Sequence, residues 1–126
     1  MQPRVFVSSV IDGFTEYREA ARRGIINAGG EPVLVEDFPS LALSPRNVCL
    51  DGVVSCDVFV VIVGPRGGSV SPSGRLVVEE EYEEARRRKI HILAFIQNTK
   101  QDERAESLAG KLSDYVDGGF RQTFVT

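Results

Sequence analysis

A chain of 126 residues, 42% hydrophobic and 26% charged, is long enough for one domain with a sizeable core. Its net charge of -3 excludes a general nucleic-acid binder, which needs an excess of Lys and Arg. No apolar run reaches bilayer-spanning length, and no basic stretch followed by an apolar one opens the chain. The expectation is a cytoplasmic protein with no membrane segment and no signal peptide.

Five apolar runs recur at nearly even spacing: Arg4–Ser8, Glu31–Val35, Val58–Val63, His91–Ile96 and Gln122–Val125. About thirty residues per strand-plus-helix unit is the spacing of βαβ construction. The run VFVVIV has no polar alternation, as expected of a strand covered on both faces, and ILAFI reads the same way. Between the first two runs, Phe14, Tyr17, Ala21, Ile25 and Ala28 recur at helical steps, with Asp12 placed to cap the start and Gly29-Gly30 to stop it. Ser44-Pro45 signals a second helix carrying Val48, Cys49, Val53 and Cys56. A third holds Val78, Tyr82 and Ala85. A fourth begins near Asp102, uses Leu108, Leu112 and Tyr115, and ends at Gly118-Gly119.

Right-handed crossovers then give an α/β fold: a flavodoxin-like three-layer sandwich around a five-stranded parallel sheet of order 2-1-3-4-5. No helix follows the fifth run, so the expectation is a single domain over 1–126 that forms the N-terminal part of a longer protein. Cys49 and Cys56 are seven apart; on a helix that is about 10 Å, too far for a disulfide. With one His in the chain they read as small buried residues, and neither a metal nor a cofactor is expected.

In this topology ligands bind beyond the C-terminal ends of strands one and three. The loops there hold Ser8, Ser9 and Asp12, then Glu36, Asp37 and Phe38, then Gly64 to Gly74 with Arg66, Ser69, Ser71 and Ser73. Glycines allow close backbone approach and free N–H groups hold anions, yet the spacing is neither a Walker A nor a GxGxxG fingerprint. Asn98, Thr99 and Lys100, after the fourth run, read as loop polarity. Glu79, Glu80, Glu81, Glu83 and Glu84 then open a helix that closes on Arg86, Arg87, Arg88 and Lys89. Acids first and bases last suit the macrodipole, and Glu83–Arg87 and Glu84–Arg88 have the favourable i,i+4 order. That accounts for every glutamate except Glu81. Its neighbours at helical steps are Val77, Val78 and Ala85, which put it on the margin of the apolar stripe.

RVFVSS, EYR, EDFPS, CDVFVVIVG, GSVSPSG and EEEYEEA together resemble the domain of unknown function 4062, a TIR-like family, over nearly the whole chain. Wider relatives are TIR domains and nucleoside 2-deoxyribosyltransferases. Their active members use a glutamate on the helix after strand three to cleave an N-glycosidic bond, and Glu81 with Ala85 matches that spacing. The resemblance implies Glu81 as nucleophile or stabiliser of an oxocarbenium-like transition state. Ser8, Ser9, Gly64, Arg66, Ser69 and Ser73 would hold ribose or phosphate, Asp37 a ribose hydroxyl, and Phe38 a base. Val78 stands where relatives carry Thr, and Gly67 where they carry Tyr.

The implied function is an effector or signalling domain of a multidomain sensor, joined to C-terminal NTPase (STAND-type) or repeat domains, self-associating, and set in antiviral defence. Its candidate chemistry is hydrolysis of NAD or a related nucleotide. The alternatives are a non-catalytic homotypic interaction domain and a module that binds a nucleotide messenger without turnover.

Overall fold

The computed structural model describes residues 2–10, 13–34, 37, 52–68, 74, 76–113 and 120–124, with the side chains of 113 and 120–124 left aside. Its elements are β1 (Arg4–Ser9), α1 (Thr15–Asn27), β2 (Glu31–Val33), β3 (Val58–Val63), α2 (Val77–Arg87), β4 (His91–Gln97), α3 (Glu103–Ser113) and β5 (Phe120–Phe124). Residues 52–54 are helical as well, within the second helix expected from the sequence; Cys49 and the start signal Ser44-Pro45 lie outside the described residues. The fold is α/β, flavodoxin-like, around a parallel sheet. β2, β1, β3 and β4 lie side by side in that order, and β5 pairs in parallel with the outer edge of β4.

The two sheet faces carry separate cores. On one, Phe6, Phe59, Val61 and Val63 meet Val78, Tyr82 and Ala85 of α2 and Leu108 and Leu112 of α3. Phe6 and Phe59 stack there with ring centroids 5.8 Å apart. On the other, Val5, Val7, Leu34, Val60 and Ile62 meet Phe14, Tyr17, Ala21 and Ile25 of α1. Each fully buried large apolar side chain contributes roughly 1.5–3 kcal/mol relative to exposure. The unbroken apolar pattern of β3 follows from this double coverage: Phe59 to Val63 are all buried.

β4 departs from expectation. Ile92, Ala94 and Ile96 are buried toward α2 and α3, whereas Leu93 and Phe95 are half-buried on the α1 face. Among the described residues α1 is the helix packed on that face, and it sits over β1 and β2. An apolar cavity of about 280 Å³ remains between Tyr17, Ala20 and Ala21 of α1 and Val60, Ile62 and Phe95.

Both completed helix ends are built alike. Gly30 N–H donates to the Ile25 carbonyl and Gly29 N–H to that of Ile26, with Gly29 in the left-handed region (φ 89°). At the end of α2, Ile90 N–H donates to Ala85 and Lys89 N–H to Arg86. There the left-handed position is held by Lys89 (φ 58°), a conformation that disfavours a Cβ. At the start of α1 the cap position is Phe14, which makes no side-chain cap bond; Asp12 lies outside the described residues.

Candidate functional site

Two adjacent serines at the end of β1 point to opposite faces of the sheet, as strand periodicity requires. Ser8 faces α2. Its hydroxyl donates to Glu81 Oε1 at 2.7 Å, and both residues are buried, Ser8 at 1% and Glu81 at 5% exposure. Ser9 faces α1. Its hydroxyl accepts from Arg18 Nη1 at 2.8 Å and donates to the Val10 carbonyl at 2.9 Å. Arg18 is itself buried, at 2% exposure. The last residues of β1 therefore tie a carboxylate on one face and a guanidinium on the other to the C-terminal edge of the sheet, where β1 adjoins both β2 and β3.

A cleft of about 820 Å³ opens over this edge. Ser9, Val10, Gly13 and Thr15 line it from the β1 side, Arg66 and Gly68 from the loop after β3, Val77 and Val78 from α2, and Asp102 and Arg104 from the start of α3. Glu81 is one turn below Val77 and Val78, behind this lining rather than in it.

The loop after β3 is held from three sides. Asp102 N–H donates to the Pro65 carbonyl at 2.8 Å, and the Asp102 carboxylate accepts the Gly67 N–H at 3.2 and 3.3 Å. The same carboxylate caps α3 by accepting the Ala105 N–H at 2.8 Å. Gln101 Nε2 reaches the Gly64 carbonyl, and Arg104 Nη1 the Gly68 carbonyl. Space requires glycine at 67: a Cβ there would stand 2.4 Å from Arg104 Cβ and 2.9 Å from Ala105 N. Gly64 is similarly confined, with the Phe14 ring 2.3 Å from where its Cβ would lie.

Of the sequence-derived site residues, the structure brings Ser8 to Glu81 and puts Ser9 and Arg66 in the cleft. Gly64 packs against Phe14. Asp37 is engaged by Arg22, whose Nη1 and Nη2 donate to its two oxygens at 2.5 and 3.0 Å. That pair holds the Asp37 carboxyl below its ordinary range and raises the Arg22 guanidinium above its own. Phe38, Ser69 and Ser73 lie outside the described residues.

The expected i,i+4 pair Glu84–Arg88 is present, and Glu80 and Glu84 are also buried, at 8% and 5% exposure. Glu84 is clasped by Arg87 and Arg88, the latter at 3.0 Å. Glu79 pairs with Lys111 across to α3. The flank of α2 is thus covered by α3 and by its own last turn. Cys56 is buried and follows the 52–54 helical stretch rather than lying within it, and burial pushes its thiol up. Among the described residues no group of His, Cys, Asp and Glu is arranged to hold a metal, and no helix is long and apolar enough to cross a membrane.

Three contributors were missed by sequence reasoning: Arg18, Asp102 and Arg104. Arg18 had a signal, since it falls on the Phe14–Tyr17–Ala21 stripe, where a cation needs a buried partner. Asp102 had the N-cap spacing to Ala105 but none for its second bond, 35 residues back.

Residues 4–124 match the family model described as "Domain of unknown function (DUF4062)". The chain belongs to that family. No curated protein matches it. Among solved structures, the domain is similar to the Clostridium botulinum CMP N-glycosidase BcmB, at TM-score 0.62 and 18% identity over 98% of this chain and 90% of that one. A likeness at that identity speaks to the fold, which both share.

Proposed function

We propose that this DUF4062 domain cleaves the N-glycosidic bond of a nucleotide, with Glu81 acting at the anomeric carbon. The observation that carries the reading is the 2.7 Å bond from Ser8 to Glu81 at the C-terminal edge of β1. A buried carboxylate held by a hydroxyl, at the place where open parallel sheets bind ligands, is a prepared acid rather than a solvated one. The overall likeness to an N-glycosidase acting on CMP adds support for the substrate class.

In the proposed reaction the C1′–N bond breaks and its electron pair leaves with the base, which takes up a proton. A Glu81 oxygen bonds to C1′, or stabilises the positive charge that develops on the sugar. Water then supplies hydroxide to C1′ and a proton to solution, and any Glu81–C1′ bond breaks with its electron pair returning to the carboxylate, giving free base and a ribose phosphate. Ser8 orients the carboxylate, while Ser9 and the loop after β3 hold the sugar and phosphate. With NAD the same bond breaks, but nicotinamide leaves neutral and takes up no proton, and water at C1′ gives ADP-ribose. A role as the effector of a longer, self-associating sensor, including in antiviral defence, belongs to the same proposal and rests on the family's resemblance to TIR domains.

A second reading, binding without turnover, is favoured by one feature: Glu81 is buried behind the cleft lining. The deciding assay incubates the protein with CMP, the other ribonucleoside monophosphates and NAD, and follows base or nicotinamide release by chromatography. The glycosidase reading expects release that Glu81→Gln abolishes and Ser8→Ala lowers roughly ten- to a hundredfold. Release undiminished in Glu81→Gln would overturn it. Nucleotide binding with no release from the wild-type protein would favour the second reading.

A further inference from the structure

The cleft is served by two guanidinium groups, one from a loop and one from a helix. Arg66 follows β3 and Arg104 lies in the first turn of α3, and both line the same space. Arg104 is drawn toward the glycine loop by its 3.3 Å bond to the Gly68 carbonyl. Arg66 reaches the other way, across to the loop after β1: its Nη2 lies 2.6 Å from where a Cβ on Gly13 would stand. Arg66 also has an interaction within the protein.

Asp102 is the carboxylate among the described cleft residues. Its oxygens are committed to the N–H groups of Gly67 and Ala105, so its work is to knit the Arg66 loop to the first turn of α3. Two planar, multi-donor cations on braced backbone, beside a glycine-bearing loop, suit the three oxygens of a phosphate. A neutral sugar or base uses neither charge.

We propose that Arg104, acting with Arg66, reads a phosphate group, so that this cleft takes nucleoside 5′-monophosphates in preference to nucleosides. Arg104 is then a specificity-determining residue and Asp102 a positioning residue. The proposal rests on the nucleotide reading of the cleft and deepens it.

The test is a titration by amide-resolved NMR on Glu81→Gln protein, which blocks the proposed turnover. The probes are the four ribonucleoside 5′-monophosphates, the matching nucleosides and inorganic phosphate. At least one monophosphate binds about tenfold or more tightly than its nucleoside, with shifts at Gly67 and Gly68, and inorganic phosphate competes with it. Arg104→Gln brings the monophosphate-to-nucleoside ratio toward one. Arg104→Lys, which keeps the charge and loses the fork, restores part of it. High salt narrows the ratio in the parent.

A ratio unchanged in the Arg66→Gln/Arg104→Gln double variant overturns the proposal, as does failure of inorganic phosphate to compete. Failure of every monophosphate to bind also overturns it. Base release that depends on Glu81 without any preference for monophosphates sinks this inference alone. Monophosphate preference without base release from the wild-type protein sinks the glycosidase reading and keeps the phosphate site.

Discussion

Replacing Ser8 by Ala removes one hydroxyl, and the structure sets what that costs. Ser8 and Glu81 are both buried, so water does not freely replace the lost donor. A hydrogen bond to a charged group is worth roughly 1.5–3 kcal/mol, and a buried carboxylate deprived of a donor bears a cost of that order. Ser8→Ala is therefore expected to lower unfolding free energy by about 1.5–3 kcal/mol in urea titrations. Glu81→Leu removes the acceptor while filling the space among Val77, Val78 and Ala85, and should cost about 1–3 kcal/mol. The double variant loses both partners at once, so its cost should be less than the sum, with a coupling energy of roughly 1.5–3 kcal/mol. Glu81 has interactions beyond Ser8, so the double variant is not expected to return to wild-type stability. A coupling energy below about 0.5 kcal/mol would refute the reasoning, because additivity within that margin is what independent sites show. The carboxylate would then not be held by Ser8, and the argument for a prepared Glu81 would lose its basis.

Three further outcomes follow from the packing. Lys89→Gly relieves a left-handed residue at the end of α2 and should raise stability by about 0.5–1 kcal/mol in urea unfolding, offset in part by the flexibility of glycine in the unfolded chain. Gly67→Ala drives a Cβ against Arg104 and Ala105, so it should cost roughly 1–3 kcal/mol by the same measure and broaden the amide signals of Gly64, Arg66 and Gly68. The Arg22–Asp37 pair lowers the Asp37 folded-state pKa from its ordinary 3.8. Its stabilisation is thus present above pH 3.8 and lost as pH falls through the lower folded value. The pair is half-exposed, so Asp37→Asn should cost at most about 1 kcal/mol at pH 7 and progressively less as pH falls below 3.8, read by unfolding across that range.

The sequence revealed most where one physical cause dominates. Val58–Val63 matches the structure at both ends because a strand covered on both faces leaves six consecutive apolar residues. The last strand was displaced, expected at Gln122–Val125 and found at Phe120–Phe124, because Arg121, Gln122 and Thr123 carry neither an apolar run nor an alternation. Glu81 was legible from its own helix, since Val77, Val78 and Ala85 fix its place on the stripe. Its partner was not, because Ser8 is 73 residues away and meets it across the β1–α2 crossing. The burial of Glu80 and Glu84 was hidden for a similar reason. Helical spacing gave the Glu84–Arg88 pair, but not that Arg87 also turns to Glu84 or that α3 comes alongside with Lys111.

The two departures from the resembled pattern, Val78 and Gly67, gain a physical meaning that the sequence did not carry. As hydroxyl-bearing positions replaced by plain ones, they suggested a site losing its polar groups. In the structure Val78 is 4% exposed, packed in the α2-side core with its surface turned to the cleft floor. Gly67 is jammed against the first turn of α3, where its N–H meets the Asp102 carboxylate and no side chain of any kind fits. Gly67 thus serves a close approach of the loop to α3, and Val78 serves the core. The polar groups of the cleft are supplied from elsewhere, by Ser9 on β1, Arg66 after β3, and Asp102 and Arg104 at the start of α3. The cleft is therefore lined by polar groups from β1, the loop after β3 and the start of α3, with the bonded pair Ser8 and Glu81 behind its floor.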